Sequence, residues 1–594
     1  MAIRFKINEE GRFTAADVSD VVCRAGICTG GVEGDIIELA AGQDPTPVLG
    51  FGAAVAAAAC HSRLAGSRHL FVKVPATTAG TISSITETPG GAPNITVTGS
   101  DFDGVTGSPF DAYNGVVRVA KTGDLGDCVV DVSLDGGTFP YTYDVPPAAV
   151  PTILGTVDLT TLTLSTLNTT TIKLQPTAPA AEQDVTLSTP TDVYDIAAQI
   201  NAATTNITAS IVGGKYLQIS YDVGGASQSL QVLASSTADT ILGLSNTAVN
   251  GGACTITLPG TGLTIAFAAG VRTKGQLYTF TTTAPRHSLA DLETALGALN
   301  ADPERVFGLL EVPQLPVDAT DLRSYVAALD SVMAAWRNQE NKRFVDYTIG
   351  APLDVSDLAI RTAMAGHVSL FDGAAQGWAN VAPRYLYQDD VEPMPQGRFS
   401  RSLARALTIR LASISLSEDP GNGEFGPLPE CYLRGPAGEL APDENTATVK
   451  LGTSKGPGFT VVKSKDGQPY FVRGVTRAGK TSRFVDTGVA RMSSRAATLV
   501  FAALRTLENK TFDLMPNGTL QERDAAAMEG TFSTMLTREL VRRKHASAVR
   551  VEVDRSEDIS QTRNVTIKVR VQPRGQGEDL TLTLTLTGTI ENVG

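Results

Sequence analysis

The residues whose types and spacing best suit chemistry are Gly474-Val475-Thr476-Arg477-Ala478-Gly479-Lys480-Thr481, which satisfy the phosphate-loop pattern G-x-x-x-x-G-K-[ST]. In such a loop, backbone N–H groups cradle phosphates, the lysine (here Lys480) reaches the terminal ones and the hydroxyl (Thr481) holds magnesium. That chemistry needs a buried parallel strand before the loop, which reads as a near-continuous apolar run. Here Tyr470-Phe471-Val472 runs straight into Arg473, Ser482 to Gly488 carries no helical stripe, and no apolar strand ending in Asp follows. The segment is therefore expected to be a basic loop between a strand and a helix.

Other candidates are thinner. His61, His69, His287, His367 and His545 form no pair at metal-ligand or catalytic spacing and are expected in the core or on the surface. Asp101-Phe102-Asp103-Gly104 opens like a calcium loop, but its further ligand positions are not filled, so a turn is expected. Asp389 and Asp390 fall in Pro383–Phe399, which Pro and Gly break into an expected loop, and Trp336 and Trp378 read as core anchors. Of the cysteines (Cys23, Cys28, Cys60, Cys128, Cys254, Cys431), only Cys23 and Cys28 are close, and no second close pair completes a zinc ribbon. A redox role for Cys23 or Cys28 stays open. No catalytic, cofactor or metal residue is assigned, and no enzymatic activity is expected.

Composition narrows the class. At 594 residues the chain is too long for one core, and two to four domains are expected. A net charge of −13 argues against non-specific nucleic-acid binding, which needs clustered Lys and Arg. The longest apolar run, Val48 to Cys60, is shorter than the roughly 20 residues of a membrane helix and suits a buried helix. Met1 to Asn8 reads as a strand rather than an export signal, so free thiols in a reducing compartment are expected.

The elements that must position these residues change texture along the chain. Residues 79–274 are rich in Thr, Gly, Ser and Val, and their sixteen acidic against six basic residues carry −10 of the −13. The flanking stretches, 1–78 and 275–594, have an α/β texture. One α/β domain built from both ends of the chain, with β-rich outgrowths inserted, is the simplest reading.

Within the insert, Gly115–Ala120 and Cys128–Leu134 are expected strands, the second running into an Asp135-Gly136 turn, and Pro146, Pro147 and Pro151 mark a boundary. After it, a helix over Asp192–Ala203 is followed by strands at Ile207–Val212, Tyr216–Tyr221 and Leu230–Ala234, and a short helix at Ala238–Leu244. Strands Cys254–Leu258 and Leu263–Phe267 close this small α+β module. Beyond the insert, Leu277–Thr282 (strand), Ser288–Leu299 (helix), Val306–Val312 (strand), Thr320–Trp336 (helix) and Phe344–Ile349 (strand) imply a right-handed parallel βαβ unit. Further helices are expected at Asp357–Ala365, Ser400–Ile414 and Val489–Glu508.

The strongest periodicities lie at the chain ends. Val565, Ile567, Val569 and Val571 alternate with Thr566, Lys568 and Arg570, and Leu580–Thr587 repeats Leu and Thr with a period of two, placing Leu582, Leu584 and Leu586 on one face. Ile3, Phe5 and Ile7 alternate with Arg4, Lys6 and Asn8. A strand at each end offers edges that can recruit other copies of the chain. A helix from Thr519 to about His545 opens with an expected capping box, Thr519-Leu520-Gln521-Glu522, and closes on Arg538, Arg542, Arg543, Lys544 and His545, cations placed where a helix dipole favours them.

The order of these elements resembles a contractile tail sheath protein, of the kind found in contractile-tailed bacteriophages and related injection systems. Gly30-Gly31-Val32-Glu33-Gly34-Asp35-Ile36, Val48-Leu49-Gly50-Phe51-Gly52, the small-residue helix and Leu70-Phe71-Val72-Lys73-Val74-Pro75 follow the sheath N-terminal segment. Thr279-Phe280-Thr281-Thr282 and Val306–Val312 follow the start of its core. Arg473-Gly474-Val475-Thr476, Val489-Ala490-Arg491-Met492, Leu514-Met515-Pro516-Asn517-Gly518, the basic-ended helix and the last strands follow its C-terminal domain. The resemblance covers about two thirds of the chain. Asp192–Asn201 and the strands after it are also similar to small modules of flagellar hook proteins.

The resemblance implies an N-terminal strand arm (1–20), a sheath core (21–78 and 275–430), an inserted β domain (79–150), an inserted α+β domain (151–274) and a C-terminal domain with a terminal strand arm (431–594). It implies hexameric rings stacked helically around an inner tube protein, capped by baseplate and terminator proteins, in a virion tail assembled in the bacterial cytoplasm. Strands bearing Ile3, Phe5, Ile7, Val565, Ile567, Val569, Leu582, Leu584 and Leu586 would be shared between subunits, and Arg538, Arg542, Arg543 and Lys544 would face the tube. No cofactor, nucleic acid or membrane is implied. The alternatives are nucleotide binding at Gly474–Thr481 and a β-rich surface adhesin, the latter weakened by the missing export signal.

Overall fold

The computed structural model describes residues 6–7, 13–14 and 21–587, apart from 91–93, 148–149, 178–179, 225–227, 252–253, 269, 303–304, 315, 339–342, 351, 353–358, 360–361, 365–378, 383–384, 391–394, 433–459, 475, 477–483, 485, 506, 508–510, 563 and 575–579. The chain divides into two units, one of Met1–Gly80, Phe102–Val105 and Ala284–Gly594, the other of Thr81–Asp101 and Thr106–Thr283.

The first unit is built on a six-stranded sheet. Its order is Ala379–Ala382, Asp346–Gly350, Leu309–Val312, Val22–Gly26, His69–Lys73, Ile36–Leu39. All neighbours are parallel except Ile36–Leu39, the antiparallel edge. Leu309–Val312 and Asp346–Gly350 are joined through the helix Ala319–Asn338, which is the βαβ unit expected from the sequence.

The period-two alternation of these strands sorts their side chains by face. Cys23, Ala25, Leu70, Val72, Leu310, Val312, Tyr347 and Ile349 bury one apolar face against helices Leu289–Ala301 and Ala319–Asn338. The first of those helices carries a true capping box between Ser288 and Asp291. Helices Ala53–Leu64 and Leu403–Ser413 cover the opposite face.

Pro383–Phe399, expected as a loop, instead contains a hairpin. Tyr385–Asp390 pairs antiparallel with Gly397–Ser402 and sets Asp389 opposite Arg398 in register. The expected helix Asp357–Ala365 lies mostly outside the described residues.

The C-terminal part of this unit has its own core. Helices Thr487–Arg505 and Glu522–Leu536 pack with the sheet Ala546–Val553, Asn564–Pro573, Leu580–Thr587, through Met492, Leu499, Phe532, Leu536, Val551, Ile567 and Val569 among others.

The second unit carries a five-stranded sheet (Tyr141–Asp144, Val129–Ser133, Asn114–Lys121, Leu277–Thr281, Thr86–Thr88) and a four-stranded one (Cys254–Leu258, Leu263–Phe267, Ile95–Phe102, Val105–Ser108). Leu277–Thr282, expected in the core, pairs instead with Asn114–Lys121 inside the second unit. Cys254–Leu258 and Leu263–Phe267, expected to close the second inserted module, lie in another sheet, where Leu263–Phe267 pairs with Ile95–Phe102.

The module between Thr152 and Asn250 is thus nested inside the other two sheets. Its core gathers Ile153, Ile172, Val185, Ile196, Ile200, Leu217, Ile219 and Leu230. Asp192 caps its helix, Val193–Ala203, by accepting from the Asp195 N–H.

Candidate assembly surfaces

The phosphate-loop pattern does not sit in a phosphate-loop fold. The strand before it, Gln468–Arg473, belongs to a two-stranded antiparallel hairpin with Val461–Lys465, not to a parallel sheet. The Gly474 N–H donates to Asp419 Oδ1 at 3.0 Å and Thr476 Oγ1 donates to the Phe484 carbonyl at 2.6 Å, so both serve local packing. Gly479, Lys480 and Thr481 lie outside the described residues.

The parallel sheet offers another place for chemistry. Strand order reverses between Val22–Gly26 and Leu309–Val312, and ligands of open α/β sheets bind outside the carboxyl ends of the strands at such a point. Here that crevice is filled. A Cβ on Gly26 would fall 2.6 Å from Ala54 Cβ and 3.7 Å from Pro313 Cδ, because the first turn of Ala53–Leu64 lies directly over it.

Beneath the covered face runs a buried polar layer that no local sequence pattern announces. Arg24 Nε meets Glu311 Oε2 at 2.8 Å with both side chains buried. Burial pulls the Arg24 guanidinium down and pushes the Glu311 carboxyl up, each opposed by the other's charge. His61 and His69 stack edge to face with centroids 4.7 Å apart. Burial and the Arg24 charge push His69 down to about 3 and His61 further below its ordinary range. Thr348 and Thr408 hydroxyls bond at 2.6 Å, and Ser494 donates to Asp346 Oδ1 at 2.9 Å. Burial raises Asp346 to about 6. His287 is also buried, and burial lowers it to about 4.

These groups are buried, and His61 Nδ1, His69 Nε2, His287 Nε2 and Asp346 Oδ2 have no hydrogen-bond partner among the described residues. Among the described residues no group of three or more His, Cys, Asp or Glu could hold a metal. Burial raises the thiols of Cys23 and Cys28 to about 12, which removes the thiolate that redox chemistry needs. Asp103 and Gly104 form the expected turn, both with positive φ, and Asp103 Oδ1 takes an ion pair from Lys73 at 2.7 Å. Trp336 is a core anchor, edge to face with Phe307. His367 and Trp378 lie outside the described residues. No described helix is long and apolar enough to cross a membrane.

The terminal strands are the remaining candidates. Val565, Ile567 and Val569 lie on the buried face of the C-terminal sheet, and the register sets Leu586, Leu584 and Leu582 opposite them. Asn564–Pro573 is the central strand, so Ala546–Val553 and Leu580–Thr587 are the two edges. Lys6–Ile7 pairs with Phe13–Thr14 in a short antiparallel ladder, which places Ile7 opposite Phe13. Ile3 and Phe5 lie outside the described residues.

The basic-ended helix differs from expectation at both ends. It begins at Glu522 after an N-cap at Gln521, and no side chain caps it. Thr519 instead donates to Asn517 Oδ1, because Leu514 bridges to Leu520 and draws Thr519 into a tight loop. Glu522 pairs with Arg555. The last turn is a π turn over Thr537–Val541. There Arg538 and Arg543 both reach buried Glu539, at 2.8 and 3.2 Å, while Arg542 and Lys544 are exposed.

A family model for the flagellin hook IN motif matches residues 161–222, which include the Val193–Ala203 helix and the two strands after it. No curated protein matches the chain. The structure is similar to a sheath tail protein from Desulfitobacterium hafniense, at 11% identity and a TM-score of 0.41 over 97% of this chain and 99% of that one. It is also similar to a sheath tail protein from Listeria innocua, at 10% identity and a TM-score of 0.41 over 97% and 96%. The contracted helical sheath of the anti-feeding prophage is a third, at 15% identity and a TM-score of 0.32 over 50% and 75%.

Proposed function

We propose that this chain is the structural subunit of a contractile tail sheath and catalyses no reaction. Subunits stack as hexameric rings around an inner tube protein, between a baseplate and a tail terminator. Contraction of the lattice drives the tube through a bacterial envelope, as in the virion tail of a contractile-tailed bacteriophage or a related injection system. The first unit supplies the ring-forming core (21–78 with 284–430) and the C-terminal domain (431–594), and the second unit, 81–283 apart from 102–105, decorates it. The strands near residues 1–20 and 580–594 carry the links between neighbours.

The observation that carries this reading is the C-terminal sheet. Leu580–Thr587 makes eight registered pairs with Asn564–Pro573 on one side, and among the described residues no strand takes its other side. An edge strand of alternating Leu and Thr, with Leu586, Leu584 and Leu582 in register with Val565, Ile567 and Val569, is a ready acceptor for a strand from another copy. The basic turn near Arg542 and Lys544 offers an exposed charge for an acidic tube surface.

Negative-stain microscopy of the purified full chain tests the reading. Hollow tubes built of six-fold rings are expected, and discrete monomers at high concentration would sink it.

A further inference from the structure

A side-chain hydrogen bond links the two larger sheets of the second unit. Tyr278 of Leu277–Thr281 donates its hydroxyl across to Asn94 Oδ1 at 2.6 Å, just ahead of Ile95–Phe102. Leu263–Phe267 and then Cys254–Leu258 follow Ile95–Phe102 in one sheet, and Asn114–Lys121, Val129–Ser133 and Tyr141–Asp144 follow Leu277–Thr281 in the other. Cys254 donates to the Pro146 carbonyl at 2.8 Å, which brings the start of Cys254–Leu258 to the end of Tyr141–Asp144, the strand beside Val129–Ser133.

Cys128 immediately precedes Val129–Ser133, and Cys254 opens Cys254–Leu258. Cys128, Val130 and Val132 share one buried face, and Cys254, Ile256 and Leu258 share the other. Both thiols are buried, and the Cys128 thiol lies 3.9 Å from the Val129 carbonyl. Val145 N–H donates to the Cys128 carbonyl at 2.9 Å, and Pro146, the next residue, accepts from the Cys254 thiol. Here the chain leaves for the nested module and, at Cys254, returns from it.

We propose that Cys128 and Cys254 are a disulfide-forming pair that staples the two sheets at the neck of the nested module. A single inter-sheet bridge of this kind is a known device of β-sandwiches. The step is thiol–disulfide exchange with a low-molecular-weight disulfide. One protein thiolate attacks it, forms a mixed disulfide and releases one small thiolate. The second protein thiolate then displaces the other small thiolate. Two protein thiols are oxidised to one disulfide, the reagent is reduced to two thiols, and the two protein protons end on them. Burial holds both thiols above their ordinary range while the Arg272 charge lowers both, so exchange on the folded protein is slow and speeds up when the neck opens.

The full chain is treated with oxidised glutathione, once folded and once in mild urea. Free thiols are then alkylated and the protein digested without reduction. A peptide linking Cys128 to Cys254 is expected, with the loss of two hydrogens, and it disappears in Cys128→Ser and in Cys254→Ser. The oxidised chain is expected to melt above the reduced one, with the shift absent in both variants. Recovery of Cys128 and Cys254 as alkylated thiols, as glutathione adducts, or linked to other cysteines under both conditions overturns the proposal.

Discussion

Arg24 and Glu311 are register partners on adjacent parallel strands, and their side chains meet at 2.8 Å in the interior of the first unit. Taking two charges out of water is costly, and their attraction repays this only while both are present. Removing one partner strands the other. Glu311→Ala or Arg24→Ala is expected to lower unfolding stability by about 3–5 kcal/mol, whereas the apolar double replacement Arg24→Met/Glu311→Leu is expected to cost much less. Urea denaturation of the four proteins checks this, and near-additive losses in the double variant would contradict it.

His61 and His69 give the same layer a pH dependence. Both imidazoles are held below their ordinary range in the folded chain and return to about 6.5 when it unfolds. The folded state then binds fewer protons than the unfolded state below that pH, so stability is full above it and falls as the solution is acidified. Each neutral imidazole is expected to cost on the order of 2 kcal/mol at pH 5. Glu311 and Asp346, held high by burial, act in the opposite sense and soften the net slope. Comparing urea midpoints at pH 7 and pH 5, His61→Gln/His69→Gln is expected to lose less on acidification than the parent. An equal loss would remove the histidines from the account.

How much of this was legible depends on the range of the signal. Strict local periodicity placed Ile207–Val212, Tyr216–Tyr221 and Leu580–Thr587 at the residues where the structure has them. The βαβ order likewise followed from helix and strand periods. Long-range register was not visible. Nothing in the strand around Arg24 announces Glu311 as its partner, so the polar layer was missed, and the pairing of Leu263–Phe267 with Ile95–Phe102 separated strands the sequence reads as one module's closure. The capping box failed for a local reason. Thr519 had a competing acceptor in Asn517, and a hydroxyl bonds what the turn brings near.

The C-terminal ladder separates folding from assembly. The core beneath it is supplied by Val551, Val553, Val565, Ile567, Val569 and the two long helices. Deletion of residues 580–594 is therefore expected to leave far-ultraviolet dichroism near that of the parent while abolishing long tubes in negative stain. Tubes of parental length would refute a linking role for Leu582, Leu584 and Leu586.

The four cations of the basic turn are not equivalent, and this distinguishes a docking charge from a structural one. Arg538 and Arg543 both neutralise Glu539, which is only 3% exposed, so either change leaves a buried carboxylate short of a partner. Arg542 and Lys544 are exposed at the end of the turn. The Lys544 carbonyl, not its ammonium, takes up the neighbouring donors Ser417 and Arg574. Arg542→Glu/Lys544→Glu is thus expected to melt within a degree or two of the parent and to lose co-assembly with an acidic tube. Arg538→Ala/Arg543→Ala is expected to lose stability first. Sedimentation of tube-bound protein at low and high salt, set beside thermal melts, reads both effects. Undiminished co-sedimentation of the Arg542/Lys544 variant at low salt would show that the tube is held elsewhere.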